Sequence, residues 1–419
     1  MESKRDLFTK CYQYDQAKKV QAAGLYPFFR PIEDTTGSNV VTHGKKRVMI
    51  GSNNYLGLTH HPNVIKGAQD AVGRLGTGCT GSRFLNGNLK LHEELERKLA
   101  TFLDQEACLV FSTGFLANLG AISCLVGRKD VIYGDRENHA SIIESTRLSL
   151  GSTVKYRHND MKDLERVLKA TRDKYQGAII VTDGVFSMSG DIVKLPELVK
   201  LADQYDCRIY LDCAHALGVL GPKGQGTAHH FGLQESVDLV MGTFSKSFAS
   251  TGGFVAGSEE VIHFIKHQAR SFIFSAAMPP AGVGAVLECL NIVENEPEHL
   301  QNLWKNARKM KRALNSAGFN TLNSQTPIIP ILIGDGTAAF SFAKKLYDNG
   351  VFATPVSAPA VPEGCALIRT SYMASHKDED LDFAAEVLKK IGREFGIIDN
   401  PETQEKLRLI AQQHFGVNA

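Results

Sequence analysis

No two of the eight cysteines form a Cys-x-x-Cys pair; Cys11, Cys79, Cys108, Cys124, Cys207, Cys213, Cys289 and Cys365 are scattered along 419 residues. Several fall in apolar runs, so they read as the reduced, buried thiols of a cytosolic protein. Charge of one sign is also missing: 47 basic against 45 acidic residues leave a formal net charge of +2. That balance gives no reason to expect nucleic acid or another polyanion as partner. No stretch approaches the roughly 20 apolar residues of a membrane span. The start, Met1-Glu-Ser-Lys-Arg-Asp6, is charged and runs into no apolar signal core. Internal repeats and low-complexity segments are absent as well. The expectation is a cytoplasmic protein, with weak peripheral membrane contact through the apolar region 272–280 left open.

What is present is an ordinary globular composition, 43% apolar and 22% charged, long enough for one large and one smaller domain. The first 30 or so residues read as a polar helix ending at Gly24-Leu-Tyr-Pro27, then an extended arm. Such an arm has no core of its own and packs on a neighbour, often another subunit. Residues 60–290 alternate strand and helix. Ala107–Ser112, Ala178–Thr182, Cys207–Asp212 and Val237–Met241 are short apolar runs suited to a sheet covered on both faces. Leu195, Leu198, Leu201, Ala202 and Tyr205 recur at helical spacing behind Pro196. This alternation predicts a largely parallel α/β sheet. From 291 the pattern changes to a small α+β domain: a helix over 297–316, a strand at Ile328–Ile333, a helix over 338–348, a strand at Ala366–Ser371 and a helix over 378–394. The expected division is an N-terminal helix and arm (1–59), a large α/β domain (60–290), a small α+β domain (291–396) and a polar extension (397–419).

Chemistry concentrates in Val237-Asp-Leu-Val-Met-Gly-Thr-Phe-Ser-Lys246-Ser-Phe-Ala-Ser-Thr-Gly-Gly253, where a lysine follows a buried strand at once. Open α/β sheets bind ligands beyond the carboxyl ends of their strands. A lysine there is partly desolvated, which lowers its pKa and makes its amine nucleophilic toward an aldehyde. Thr243, Ser245 and Ser247 can donate to a phosphate, and Gly252 and Gly253 let the backbone pass close to a bulky ligand. A lone lysine is ordinarily a surface residue, but this one has company. Asp212 ends a strand and opens Asp212-Cys-Ala-His215. A carboxylate there either caps the next turn or holds a proton on the nitrogen of a pyridine ring, the arrangement a pyridoxal 5′-phosphate site requires. His215 is then placed for the ring's phenolic oxygen. In Phe111-Ser-Thr-Gly-Phe-Leu-Ala-Asn118 a strand runs into a helix, whose free N–H groups at Gly114 and Phe115 form a phosphate cradle. His139 can stack on the ring or be an ordinary half-buried histidine. Ser187, after another strand end, can contact the ring oxygen.

Gly76-Thr-Gly-Cys-Thr-Gly81 matches a dinucleotide fingerprint but follows a helical pattern, whereas the fingerprint must follow a strand. It reads instead as a loop at the mouth of the site. The His60-His61 and His229-His230 doublets lack the i, i+4 spacing of a helical metal site, and no metal is expected.

Aspartate at one strand end, lysine at a later one and a glycine cradle upstream describe the fold-type I (aspartate aminotransferase-like) pyridoxal-phosphate enzymes. Within that group the chain resembles the α-oxoamine synthases from about residue 20 to 395. The shared segments are Ser52-Asn-Asn-Tyr-Leu-Gly57, Gly81-Ser-Arg83, Asp212-x-Ala-His215 and Ala366-Leu-Ile-Arg-Thr-Ser371. Gly242-Thr-Phe-Ser-Lys-Ser-Phe248, Ser82-Arg-Phe-Leu-Asn-Gly87, Gly24-Leu-Tyr-Pro-Phe-Phe-Arg30 and Arg270-Ser-Phe-Ile-Phe-Ser-Ala276 are similar to the bacterial serine palmitoyltransferase branch. The resemblance implies that Lys246 is the Schiff-base lysine, Asp212 the partner of the ring nitrogen, His215 that of the phenolic oxygen and His139 the stacking residue. It implies that Thr243, Ser245, Gly114 and Phe115 hold the phosphate, with Ser275 and Ala276 reaching it from the second subunit of a homodimer. Arg369 would bind the substrate carboxylate with Asn53 nearby. Where relatives carry a second acid after the ring aspartate, this chain has Cys213.

The implied reaction joins L-serine to palmitoyl-CoA with loss of carbon dioxide, Lys246 removing the Cα proton. Its rivals are a sister condensation (8-amino-7-oxononanoate synthase using L-alanine, or glycine C-acetyltransferase), an aminotransferase, and a catalytically dead scaffold. The joint presence of Lys246, Asp212, His139 and His215 argues against the last.

Overall fold

The computed structural model describes residues 6–417; residues 1–5, which include most of the charged start, and residues 418–419 lie outside the described residues. A seven-stranded sheet forms the centre. Its spatial order is Ala107–Phe111, Gly253–Gly257, Leu239–Thr243, Arg208–Asp212, Ala178–Asp183, Val131–Asp135 and Ser152–Tyr156. All strands run parallel except Gly253–Gly257, which is antiparallel to both neighbours.

Successive side chains of a strand point to opposite faces, and here both faces are dry. Val131, Tyr133, Ile180, Leu211, Val240 and Phe254 enter one core cluster. Their strand neighbours Ile132, Ile179, Val181, Tyr210, Met241 and Val255 enter a second on the other face. The uninterrupted apolar runs in the sequence follow from this double burial.

A third core lies around the antiparallel sheet Ile328–Gly334, Ala366–Ser371 and Thr354–Val356. Helices Glu298–Ser316, Gly336–Asp348 and Asp378–Glu394 cover it. The polar C-terminal stretch forms a helix, Pro401–Phe415, capped by the Asn400 side chain and anchored in this core by Leu407 and Ala411.

A further pairing joins residues distant in sequence. The hairpin Asn39–Thr42 and Lys45–Met49 pairs through its second strand with Val351–Phe352, in parallel. The segment after it is tied to the strand Ala366–Ser371, where Ser371 N–H donates to the Ile50 carbonyl at 2.7 Å. Among the described residues 6–30 there are two short helices, Thr9–Tyr12 and Gln16–Ala22, rather than one. Neither buries a side chain, because their apolar residues show no core-facing stripe; Leu7, Phe8 and Tyr12 are exposed. Among the described residues no helix is long and apolar enough to cross a membrane.

Candidate active site

Asp183 and Asp212 end adjacent parallel strands and are register partners, so two carboxylates meet at the carboxyl edge of the sheet. Asp212 is 2% exposed and each oxygen accepts one bond: Oδ1 from Ala214 N–H at 2.8 Å and Oδ2 from Asn118 Nδ2 at 2.7 Å. Asn118 is fixed in turn by Tyr210, whose hydroxyl donates to Oδ1 at 2.8 Å. Asp183 receives His139 N–H on Oδ2 at 2.7 Å. Burial, and next the charge of Asp212, push Asp183 well above the usual carboxylate range.

Lys246 stands three residues beyond the strand Leu239–Thr243, half-buried as a residue. Desolvation lowers its amine to about 8, against the opposing pull of Asp212 and Asp183. His139 caps the helix Ala140–Leu148, its ring Nδ1 bonded to Ser141 Oγ at 2.7 Å. Burial lowers the pKa of this imidazole, and Asp212 resists that shift.

A second chain of contacts enters from the small lobe. Arg369, 6% exposed on the strand Ala366–Ser371, donates from Nε to the Ser187 carbonyl at 2.6 Å and from Nη2 to Asn53 Oδ1 at 2.9 Å. Nη2 also reaches the Tyr55 hydroxyl at 3.3 Å, and that hydroxyl shares a 2.7 Å bond with His215 Nδ1. Burial drives His215 well below the imidazole range, and the neighbouring Lys246, Arg369 and His139 add to the shift. Burial likewise raises the Tyr55 phenol.

On the third side Thr113 caps the helix Gly114–Leu125 by accepting from Leu116 N–H. The N–H groups of Gly114 and Phe115 have no hydrogen-bond partner among the described residues. Thr243 lies beside them: a Cβ built on Gly114 would meet its Oγ1 at 2.8 Å, and one built on Gly253 would meet the Gly114 Cα at 2.5 Å. Only glycine fits this corner, which brings two free N–H groups next to the Thr243 hydroxyl. Ser245 is exposed, its N–H donating to Thr243 Oγ1 at 3.3 Å. Ser275 and Ala276 lie, in the same chain, in a turn beside Ser112, whose hydroxyl donates to the Ala276 carbonyl.

The residues fit pyridoxal 5′-phosphate by their chemistry. A desolvated amine answers the aldehyde, a buried carboxylate the pyridine nitrogen, and a helix start with unpaired N–H groups the phosphate. Cys213 is buried below Asp212, its thiol pushed up to about 12 by desolvation.

Sequence reasoning missed Tyr55, Asn118, Ser141 and Asp183 as parts of this network. Asp183 carried a legible signal, an acid at a strand end in Val181-Thr-Asp-Gly184; Tyr55 and Asn118 stood inside quoted motifs without a role. Another unforeseen group is His61 with Glu296 and His299, whose ligand atoms lie within 4.8 Å of one another. His61 Nδ1 accepts from Asn63 N–H at 3.3 Å, which puts the proton of the neutral ring on Nε2, facing Glu296. Glu296 is hydrogen-bonded to His299 Nε2 at 3.4 Å, while His61 Nε2 stands 3.9 Å from it.

A family model described as aminotransferase class I and II matches residues 45–388. The chain is 55% identical over 383 residues to a serine palmitoyltransferase of Bacteriovorax stolpii, covering 91% of each chain. It is 46% identical over 384 residues to an 8-amino-7-oxononanoate synthase of Thermoanaerobacter pseudethanolicus, covering 92% of this chain and 97% of that one. A solved serine palmitoyltransferase variant of S. paucimobilis, with bound PLP–myriocin aldimine, superposes with a TM-score of 0.91 at 32% identity over 94% of this chain and all of that one. The strand-end lysine and aspartate, the glycine corner and these likenesses agree: the chain belongs to the pyridoxal-phosphate-dependent class I and II aminotransferase family and, within it, to the α-oxoamine synthases, acyltransferases of fold type I.

Proposed function

We propose that the protein is a serine palmitoyltransferase, a cytoplasmic homodimer that condenses L-serine with palmitoyl-CoA to 3-oxosphinganine, CoA and carbon dioxide, the first step of sphingolipid biosynthesis. The observation that carries the choice of branch is the 55% identity to the B. stolpii serine palmitoyltransferase, against 46% for the T. pseudethanolicus 8-amino-7-oxononanoate synthase.

When bound, pyridoxal phosphate supplies the electron sink that makes the substrate Cα acidic. In this reading Lys246 carries the cofactor, and its amine, lowered to about 8, takes the Cα proton near neutral pH. Asp212, immobilised by Asn118 and Ala214 N–H, holds the proton on the ring nitrogen. Tyr55 receives from Arg369 and shares a bond with His215 Nδ1; with Tyr55 as donor there, the neutral His215 would present Nε2–H to the phenolic oxygen. Ser187 would contact the same oxygen. The N–H groups of Gly114 and Phe115 and the hydroxyls of Thr243 and Ser245 hold the phosphate, with Ser275 and Ala276 of the second subunit. Arg369, steadied by Asn53 and the Ser187 carbonyl, grips the substrate carboxylate, and His139 packs on the ring face.

The test is CoA release by the purified protein from palmitoyl-CoA with L-serine, L-alanine or glycine, with identification of the lipid. Release with serine alone, giving 3-oxosphinganine, is the expected result. Release with alanine or glycine instead would move the enzyme to a sister branch.

A further inference from the structure

His158 follows the strand Ser152–Tyr156 and is 15% exposed at its side chain. Both ring nitrogens face carboxylates: Nδ1 meets Asp135 Oδ1 at 3.1 Å and Nε2 meets Asp191 Oδ2 at 3.2 Å, with Glu137 Oε2 at 3.8 Å from Nε2. Two acceptors on two nitrogens require both to carry protons, so the ring is an imidazolium. The acids are held independently of it. Asn159 donates its N–H to Asp135 Oδ2 at 2.7 Å and its Nδ2 to Asp191 Oδ2 at 3.0 Å, and Ser189 bonds Asp191 Oδ1.

This cation stands under the segment that follows the strand Ala178–Asp183. The imidazole meets Phe186 edge-on, ring centroids 4.3 Å apart, and Phe186 is 2% exposed. Phe186 N–H donates to the Asp191 carbonyl at 3.1 Å, and Gly190 N–H to the Phe186 carbonyl at 2.9 Å, closing residues 186–191 into a tight turn. The next residue, Ser187, gives its carbonyl to Arg369 Nε at 2.6 Å. The Gly190 carbonyl receives Thr326 Oγ1 at 2.9 Å and Gln325 N–H at 2.9 Å from the small lobe. A side chain at Gly190, whose φ is +72°, would collide with the Ile328 carbonyl, so the turn is wedged against that lobe. The turn is therefore a strut, footed on a buried charge at the carboxyl edge of the central sheet and topped by the guanidinium of the small lobe.

We infer that the His158 imidazolium, clamped by Asp135 and Asp191, is a positioning residue that fixes Arg369 through the Ser187 carbonyl and thereby sets amino-acid affinity. This rests on the proposal that Arg369 grips the substrate carboxylate. A hydrogen-bond acceptor on Nε of an arginine locks the fork's direction, and a misplacement of about 1 Å at such a contact is worth up to about 100-fold. Freed from its foot, the carbonyl would let Arg369 swing without altering Lys246 or Asp212.

The test uses the holoenzyme and two readouts: titration of the cofactor's visible absorbance with L-serine, L-alanine or glycine, and KM for amino acid and acyl-CoA. His158→Gln, and Asp191→Asn as the milder variant that leaves the cation paired with Asp135, should each weaken amino-acid binding about tenfold. The acyl-CoA KM and the resting spectrum should stay unchanged. In an Arg369→Lys background the same substitutions should add less than about twofold, because coupled residues are not additive. Full additivity there, or a fall in kcat with unchanged amino-acid affinity, would overturn the inference. Arg369→Lys alone separates the two layers. If it leaves amino-acid affinity intact, the carboxylate reading falls and the inference with it. If it weakens affinity while His158→Gln and Asp191→Asn do not, only the inference falls.

Discussion

His215 and His158 are both enclosed histidines, one beside Lys246 and the other under the 186–191 turn, and the protein gives them opposite charge. Burial first, and then the surrounding Lys246, Arg369 and His139, hold the His215 ring neutral. Around His158 stand Asp135, Asp191 and Glu137. Burial there also opposes charge, but the hydrogen bonds to Asp135 and Asp191 overcome it and raise the pKa to about 11. The difference teaches that burial alone does not set a histidine's state; the sign of the groups that share its cavity does. On the proposed reading the neutral ring keeps a single donor for use at the site, while the charged ring holds a turn.

The comparison can be broken from several directions, the largest effect first. Lys246→Ala removes the amine that the proposed mechanism uses, and kcat in the CoA-release assay should fall by at least about 10³-fold. Full activity in that variant would sink the assignment. Asp212→Asn keeps the shape and loses the charge, with an expected loss of about 10²-fold or more in kcat, in the range of general acid–base effects. A variant within a few-fold of the parent would show that the ring proton does not depend on this carboxylate.

The two histidines should then separate by readout. His158→Leu leaves Asp135 and Asp191 buried without their cation and should cost about 3–5 kcal/mol of stability, measured by chemical denaturation. His215→Phe should instead lower kcat and cost only about 1–2 kcal/mol, since the buried Tyr55 hydroxyl loses one partner but keeps Arg369 and Asn53. Equal stability losses in both variants would erase the contrast between the two rings.

Their pH signatures also have opposite sign. His158 has a folded pKa of about 11, above the ordinary imidazole value of about 6.5. Its contribution is therefore complete below pH about 6.5 and is lost as pH rises toward about 11. His215 is depressed in the fold, so the unfolded chain takes up its proton first, and stability falls as pH drops below about 6.5. Melting curves from pH 5 to 10 should show the alkaline decline flattened in His158→Gln and the acid decline flattened in His215→Phe. The smallest effect belongs to Cys213, a buried thiol that no site residue uses. Cys213→Ala should cost about 1 kcal/mol and leave kcat within about twofold. A larger loss of activity would give Cys213 a place in the site.

The central sheet and the lysine–aspartate pair were legible because their signals are local. A strand buried on both faces needs a run of apolar residues, and Asp212, Cys213, Ala214 and His215 or Thr243, Ser245 and Lys246 are within a few residues of one another. The strand Ala366–Ser371 and the helix Asp378–Glu394 match their expected bounds for the same reason. The single N-terminal helix was a miss at short range: the chain breaks at Gln13–Asp15 into two helices that bury nothing, so no packing rewarded continuity.

What the tertiary structure decided are contacts whose partners lie far apart in sequence. Asn53 and Arg369 are 316 residues apart, Tyr55 and His215 160, Asn118 and Asp212 94. The hairpin at 39–49 finds its sheet partner at 351–352. Polar side chains leave no periodic trace in a sequence, and a hydrogen bond depends on ångström-scale placement that only the packed fold supplies. The same holds for charge: histidine is written alike at 158 and 215, and only the carboxylates or cations that folding brings around each ring decide which one carries a proton.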